Sequence, residues 1–219
     1  PVEWDTSTGG VQIAAAAGVP VIVVDAPIRD SQLAACSVLS DNYQAGVLCA
    51  EHLMSARDSA KILLLEHITA RSAADRIQGF KDTIAGHDGF EILGSGESDG
   101  QIENAMPVME QLLRQYPEAD VLMALNDPSV FGGLAAIQGA GLSERFLVYS
   151  VDGSPEGKNM VSSGFLTATC AQFPSRVAEE AVKQAYAAIA GGCENNEVIV
   201  PVELLTEENV DQYGIDGWQ

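Results

Sequence analysis

Basic residues are scarce in this chain: 11 lysines and arginines stand against 31 aspartates and glutamates, a formal charge of -20 over 219 residues. A chain so charged repels phosphate backbones and anionic lipid surfaces, which excludes nucleic acid as a partner. The acidic residues are dispersed, as at Glu179 and Glu180 or Glu207 and Glu208, and read as a solvated surface, not as a substrate site. Cysteine is sparse too. Cys36, Cys49, Cys170 and Cys193 form no CxxC pair and have no histidine at ligand spacing. No zinc site is expected, and buried free thiols are, with a disulfide open only in an oxidising compartment. No apolar run approaches the roughly 18 to 20 residues of a membrane helix. Phosphate loops are missing, because Gly94-Ser-Gly96 does not complete GxGxxG and Gly9-Gly10 has no lysine after it. Ser150 lacks the Gly-x-Ser-x-Gly frame of a nucleophile elbow. The chain does not begin with methionine and carries no signal peptide, so a processed or truncated product is expected.

Hydrophobic residues are plentiful at 47%, enough for one large globular core or two small ones. They recur in alternating strand-like and helical segments. Helical composition from Thr6 to Ala17, closed by Gly18, gives way to the β-branched run Pro20 to Val24. Further strands are expected at 36–39, 61–65, 90–94, 121–125, 146–151, 165–171 and 197–202. Helices are expected at 42–56, 72–85, 101–115, 128–139, 155–162 and 174–190. The run 61–65 is apolar enough to be covered on both faces. Asp127 before Pro128 and Ser154 before Pro155 read as helix caps with proline at the first helical position. Repeated βα units of this kind imply parallel sheets with right-handed crossovers, flanked by helices: an α/β class.

Four polar residues end the apolar runs: Asp25, Asn126, Asp152 and Gln172. In parallel sheets such positions gather along the carboxyl edge, where α/β folds bind ligands. Carboxylates and amides there, beside exposed helix amides, suit a ligand rich in hydroxyl groups.

In order along the chain, Gly18-Val-Pro-Val-Ile-Val-Val-Asp25, Ser40-Asp-Asn-Tyr-Gln-Ala-Gly46, Arg76-Ile-Gln-Gly-Phe80, Leu125-Asn-Asp127, Val151-Asp-Gly-Ser-Pro155 and Ala171-Gln-Phe-Pro174 resemble the periplasmic sugar-binding proteins of the ribose-binding type. These are type I binding proteins, the substrate-binding components of ABC transporters. The resemblance implies two α/β lobes joined by three crossings, near 39–41, 172–174 and 198–202, with the ligand in the cleft and a hinge that closes on it. It implies a first lobe of residues 1–39 and 173–196, and a second of 40–172 and 197–219 with the hinge crossings and the tail. It assigns ligand binding to Asp25, Asn126, Asp152 and Gln172. His67 and Glu66, at the end of the run 61–65, and Arg71, as a substitute donor, are further candidates, while Asp127 is left out as a cap.

The pattern departs from the ribose binders in three places. Ala26 and Ala74 stand where those proteins carry arginine, and no aromatic residue lies near Gly100. Ribose is therefore disfavoured, whereas another pentose or hexose, a polyol such as inositol, or a furanosyl signal molecule fits. The family also begins with about two strand-helix units before the segment matching Pro1 to Asp5, so the resemblance implies an incomplete first lobe whose open sheet edge recruits a partner, either a separate N-terminal fragment or a second copy.

The resemblance thus implies a solute receptor without cofactor, metal or catalytic step. It would deliver a sugar or polyol to the membrane permease of an ABC transporter, in the periplasm or outside the cell, free or as a cell-surface lipoprotein. The alternative is the effector-binding core of a lactose-repressor-family regulator, which needs a helix-turn-helix that these residues do not contain. The tail from Leu204 to Tyr213 looks instead like the ending of transport receptors. His67, Glu66 and Asp152 have the chemistry for acid-base work, but no catalytic frame surrounds them.

Overall fold

The computed structural model describes Trp4, residues 7–193 and residues 196–219. Thr6, where the first helix is expected to start, lies outside the described residues.

The described strands sort into two sheets. β1 (Ile22–Val24), β2 (Cys36–Ser40) and β8 (Glu197–Val200) form a small parallel sheet in the order β1-β2-β8. β3 (Ala60–Glu66), β4 (Phe90–Glu97), β5 (Val121–Ala124), β6 (Leu147–Asp152), β7 (Ala168–Ala171) and β9 (Glu203–Thr206) form a large one in the order β4-β3-β5-β6-β7-β9. It is parallel except for β9, which runs antiparallel to β7. The helices are α1 (Thr8–Ala16), α2 (Asn42–Ala56), α3 (Arg71–Ile84), α4 (Ile102–Gln115), α5 (Asp127–Gly139), α6 (Pro155–Ser162) and α7 (Pro174–Ala190). Among the described residues, no helix is long and apolar enough to cross a membrane.

One expected strand is in fact two. The run 197–202 breaks at Pro201, which has no N–H to continue a ladder, so β8 stays on the small sheet and β9 crosses to the large one. Residues 197–200, assigned from sequence to the second lobe, therefore pair with β2 of the small sheet. The strand expected from residue 165 starts only at Ala168, after a turn in which Gly164 takes φ 74°.

Alternation along β3 shows why the large sheet is covered on both faces. Ile62 and Leu64 join Leu53 of α2 and Phe80 of α3 in one core, while Leu63 and Leu65 join Met109 of α4 and Ile137 of α5 in the other. Helices α2 and α3 touch through glycine. A Cβ on Gly46 would lie 1.8 Å from Arg76 O, and one on Gly79 would lie 2.1 Å from Tyr43 O. Only hydrogen at both positions permits this approach, and it is the approach that carries Arg76 inward. On the small sheet Cys36, Val38 and Val200 pack against Phe173 and Val177, and Val23 packs with Val11 and Ile28. All four cysteines are free thiols.

The described chain passes between the sheets at Asp41, at Gln172 to Phe173 and at Pro201 to Val202. The first and third passages touch, since Asp41 N donates to Val200 O at 3.0 Å.

Candidate functional site

Asp152 closes β6 in a backbone conformation rare for a residue with a side chain, φ 137°. Such strain is held in place by surrounding contacts and clusters at functional positions. The Asp152 side chain is 15% exposed. Its Oδ1 accepts hydrogen bonds from Arg76 Nη1 at 3.0 Å and Gln172 Nε2 at 2.8 Å. The buried Arg76 guanidinium is tied further by Nη1 to Leu125 O at 2.9 Å and by Nε to Asn42 Oδ1 at 2.8 Å. Burial pushes the Asp152 carboxyl up to about 7; the Arg76 guanidinium pulls the other way and the Asp127 carboxylate adds to the rise. Gln172 is the first residue beyond β7, at a passage between sheets, and its N donates to Asp152 O at 3.0 Å.

Asn126 and Asp127 exchange the roles expected of them. The cap of α5 is Asn126, whose Oδ1 accepts from Ser129 N at 3.0 Å, while its Nδ2 donates to Gly100 O at 3.2 Å. One N–H and one lone pair of that amide are left for another partner. Asp127 is wholly buried and works as an internal bracket instead. It accepts from Ser150 Oγ at 2.5 Å and Thr169 Oγ1 at 2.9 Å, and from Ser154 N at 2.8 Å and Ser154 Oγ at 2.6 Å. These bonds tie β6, β7 and the start of α6 to α5 and fix Asp152 between them. Ser154 caps α6 as its sequence implies, accepting from Gly157 N at 3.0 Å.

Asp25 follows β1 in a left-handed conformation, φ 71°, with its side chain exposed. Together with Gln172, Ser40 and Trp218 it lines a cavity of about 570 Å³. Of the four strand-end residues, Asp25 and Gln172 line this cavity, while Asp152 and Asn126 do not; Gln172 bonds Asp152, and Asn126 is bonded instead to Gly100 and Ser129.

The chain tail also reaches this place. Lys158 of α6 is fully buried and donates to Gly217 O at 2.7 Å, Gln219 Oε1 at 3.1 Å and Tyr213 O at 3.4 Å. Burial lowers the pKa of its ammonium. Gln219 Nε2 in turn donates to Gln172 O and to Asp152 O. Between these anchors the Trp218 indole is left half-exposed in the cavity.

The three further candidates sit apart. Glu66 pairs with Lys81 at 2.5 Å, which neutralises it. His67 faces Glu97 and Asp99. Arg71 pairs with Asp75 at 2.8 Å and stacks 5.1 Å from the Trp4 ring, beside a second cavity of about 460 Å³ that Asp25 and Gln172 do not line. Arg76, Lys158, Trp218 and Gln219 were not singled out from sequence as site residues. Arg76 lay inside a recognised motif, and Lys158 is one of only 11 basic residues; nothing local signals the tail contacts, which are long-range.

Comparison with known proteins returns one consistent picture. The profile of the periplasmic binding protein domain family matches residues 1–193. Over 206 residues the chain is 32% identical to the ribose import binding protein of Escherichia coli (strain K12), covering 93% of this chain and 68% of that protein. An ABC transporter solute binding protein from Bacillus halodurans C-125 with bound myo-inositol superposes with a TM-score of 0.89 at 26% identity, covering 97% of this chain and 75% of the other. The arabinose transporter component from Shewanella sp. ANA-3, bound to L-arabinofuranose, gives 0.89 at 25% identity, covering 97% and 73%.

Proposed function

The chain belongs to the periplasmic binding protein family, and we propose that it is the solute receptor of an ABC importer, holding a sugar or polyol between its two sheets and handing it to the membrane permease. The group formed by Arg76, Asp152 and Gln172 carries this reading. A guanidinium, a carboxylate and a carboxamide meet where the chain crosses between sheets, and the carboxamide residue, Gln172, shares a cavity with Asp25. Asp25, the second oxygen of Asp152 and the Gln172 carbonyl supply acceptors, and Asn126 supplies a donor, a set that matches the paired hydroxyls of a carbohydrate. Closure of the sheets on such a ligand removes those hydroxyls from water only where each finds a partner. The reading contains no catalytic step, and the relatives named for import set it above the repressor alternative. Its setting is the periplasm or the outside of the cell; a lipid anchor is the variant in which the protein sediments with membranes.

Two finer points belong to the same proposal. The ligand is a sugar or polyol other than ribose, supported by Ala26 and Ala74 at the positions of the ribose binders' arginines. The exposed apolar residues of α7, Val182, Tyr186 and Ile189, support a covering polypeptide, a separate first-lobe fragment or a second copy; a monodisperse monomer by light scattering would oppose that.

Isothermal titration with ribose, arabinose, xylose, glucose, galactose, allose and myo-inositol tests the main reading. One ligand per chain is expected for at least one compound. At pH 8, where the Asp152 carboxyl is ionised, Asp152→Asn keeps the shape but loses the charge, and on the order of a 100-fold loss of affinity is expected, the size of a charged hydrogen bond. Failure of every compound to bind, or parent affinity in Asp152→Asn, overturns the site; ribose as the tightest ligand overturns only the finer point.

A further inference from the structure

The carboxyl ends of β3 and β4 carry a second set of convergent side chains, which the sugar reading does not use. The His67 side chain is 8% exposed, and its Nδ1 lies 3.5 Å from Glu97 Oε2 and 3.5 Å from Asp99 Oδ1. Each carboxylate is held in place by its other oxygen. Glu97 Oε1 accepts from Ile68 N at 3.0 Å, and Asp99 Oδ2 accepts from Asn104 Nδ2 at 3.1 Å. Two oxygens therefore converge on one ring nitrogen from positions already fixed, and the three ligand atoms lie within 4.8 Å of one another. Among the described residues no other trio of histidine, cysteine or acidic side chains is so grouped.

The spacing discriminates between two explanations. At 3.5 Å the nitrogen-oxygen contacts are longer than the usual 2.7 to 3.2 Å of a hydrogen bond. Two ligands each about 2.0 to 2.2 Å from a zinc ion, at the tetrahedral angle, stand about 3.4 Å apart. The two nitrogen-oxygen contacts have the length of a coordination-shell edge, and the third edge, between the oxygens, closes the trio within 4.8 Å. Burial grades in the same sense, with histidine at the floor and Glu97 and Asp99 at the rim, 44% and 56% exposed, so that solvent reaches the remaining coordination positions. An imidazole with two carboxylates favours a transition ion over magnesium or calcium, which take oxygen ligands throughout.

We infer that His67, Glu97 and Asp99 bind a divalent transition-metal ion at the rim of the large sheet. The ion would fix the turn at Asp99 and Gly100, with φ 51° and 69°, and so hold the Gly100 carbonyl that receives the Asn126 amide. It would also place positive charge between two neighbouring carboxylates of a strongly acidic chain. The inference stands independently of the sugar reading.

Zinc titration of chelator-treated protein by calorimetry, without sugar, tests it. One zinc per chain is expected, with affinity falling on the order of 100-fold or more in His67→Gln, since loss even of an outer-shell partner costs 10- to 100-fold. Asp99→Asn, at an exposed position, carries the same test should His67→Gln fail to fold, and its affinity should fall at least tenfold. Absence of saturable binding by the parent, or parent affinity in a folded variant, overturns the site.

Discussion

The two sheets obey the same strand-helix alternation, and each has a fully buried inner strand and an open edge, β2 being buried throughout and β4 at no residue; they differ in the size of the core around them. β5 and β7 of the large sheet are buried at every residue. β8 of the small sheet alternates between exposed and half-buried until Val200, and Val24 at the end of β1 is 40% exposed. The large sheet has helices packed on both faces. The small sheet has α7 on one face and α1 with a loop on the other, and the outer side of α7 leaves Tyr186 and Ile189 more than 70% exposed. The residues proposed to bind the ligand are divided between these unequal supports. Asp152 and Arg76 are fixed in advance by the large sheet and its brackets, whereas Asp25 stands on the thinner one. On the proposed function, one half of the site would stand on the larger core and the other on the smaller one, a division that suits closure by a hinge.

Core substitutions probe that contrast most strongly. Leu64→Ala, in the fully buried middle of β3, should cost about 2–5 kcal/mol. Ile199→Ala on β8, 44% exposed, should stay within about 0.5 kcal/mol. Urea unfolding of both variants decides it, and equal losses would erase the distinction between the sheets.

Glycine replacement gives the next largest difference. Gly79→Ala drives a methyl into the Tyr43 carbonyl and should destabilise by about 1–3 kcal/mol, weakening ligand binding as Arg76 is pushed from Asp152. Gly10→Ala, in the first turn of α1 with open space around it, should instead stabilise by up to about 0.5–1 kcal/mol. Thermal melts that move the same way in both variants would contradict the packing of α2 on α3.

The smallest effect is one of pH. Native Asp152 keeps its proton up to about 7, while an unfolded aspartate releases it near 3.9. The native state therefore binds more protons between those values, and stability present below about pH 4 is lost as the pH rises through 7. Parent protein should become less stable from pH 5 to 7.5 than Asp152→Asn, with a difference in slope of at most on the order of 1 kcal/mol per pH unit. Parallel stability curves would show that Asp152 ionises normally on folding.

Local signals carried most of the fold. The helices at 155–162 and 174–190 begin at prolines and end just before glycine-bearing turns, and that at 42–56 begins after the Asp41 cap, because those boundaries depend on neighbours in sequence. The division of 197–202 did not show itself, since Pro201 sits in a run that is β-prone throughout and only tertiary pairing tells which sheet each half joins. The candidate site divides in the same way. Positions at strand ends are legible from periodicity, so Asp25, Asn126, Asp152 and Gln172 could be placed at the ends of β1, β5, β6 and β7 in advance. What each side chain does is decided by partners far along the chain. Asp127 finds its hydroxyls at Ser150 and Thr169, and Asn126 takes over the cap as a result. Arg76 reaches Asp152 only because two glycines let their helices touch.

Both tryptophans of this chain stand at the seam between the sheets. The Trp4 ring lies 5.8 Å from the Arg29 guanidinium, beyond β1, and 5.1 Å from that of Arg71 on α3. Trp218 is held to α6 through its neighbours and faces a wall made by Val24, Asp25 and α7. Rotation of one sheet against the other changes the surroundings of both indoles together. Their emission is a built-in optical gauge of the angle between the halves, readable without any attached dye.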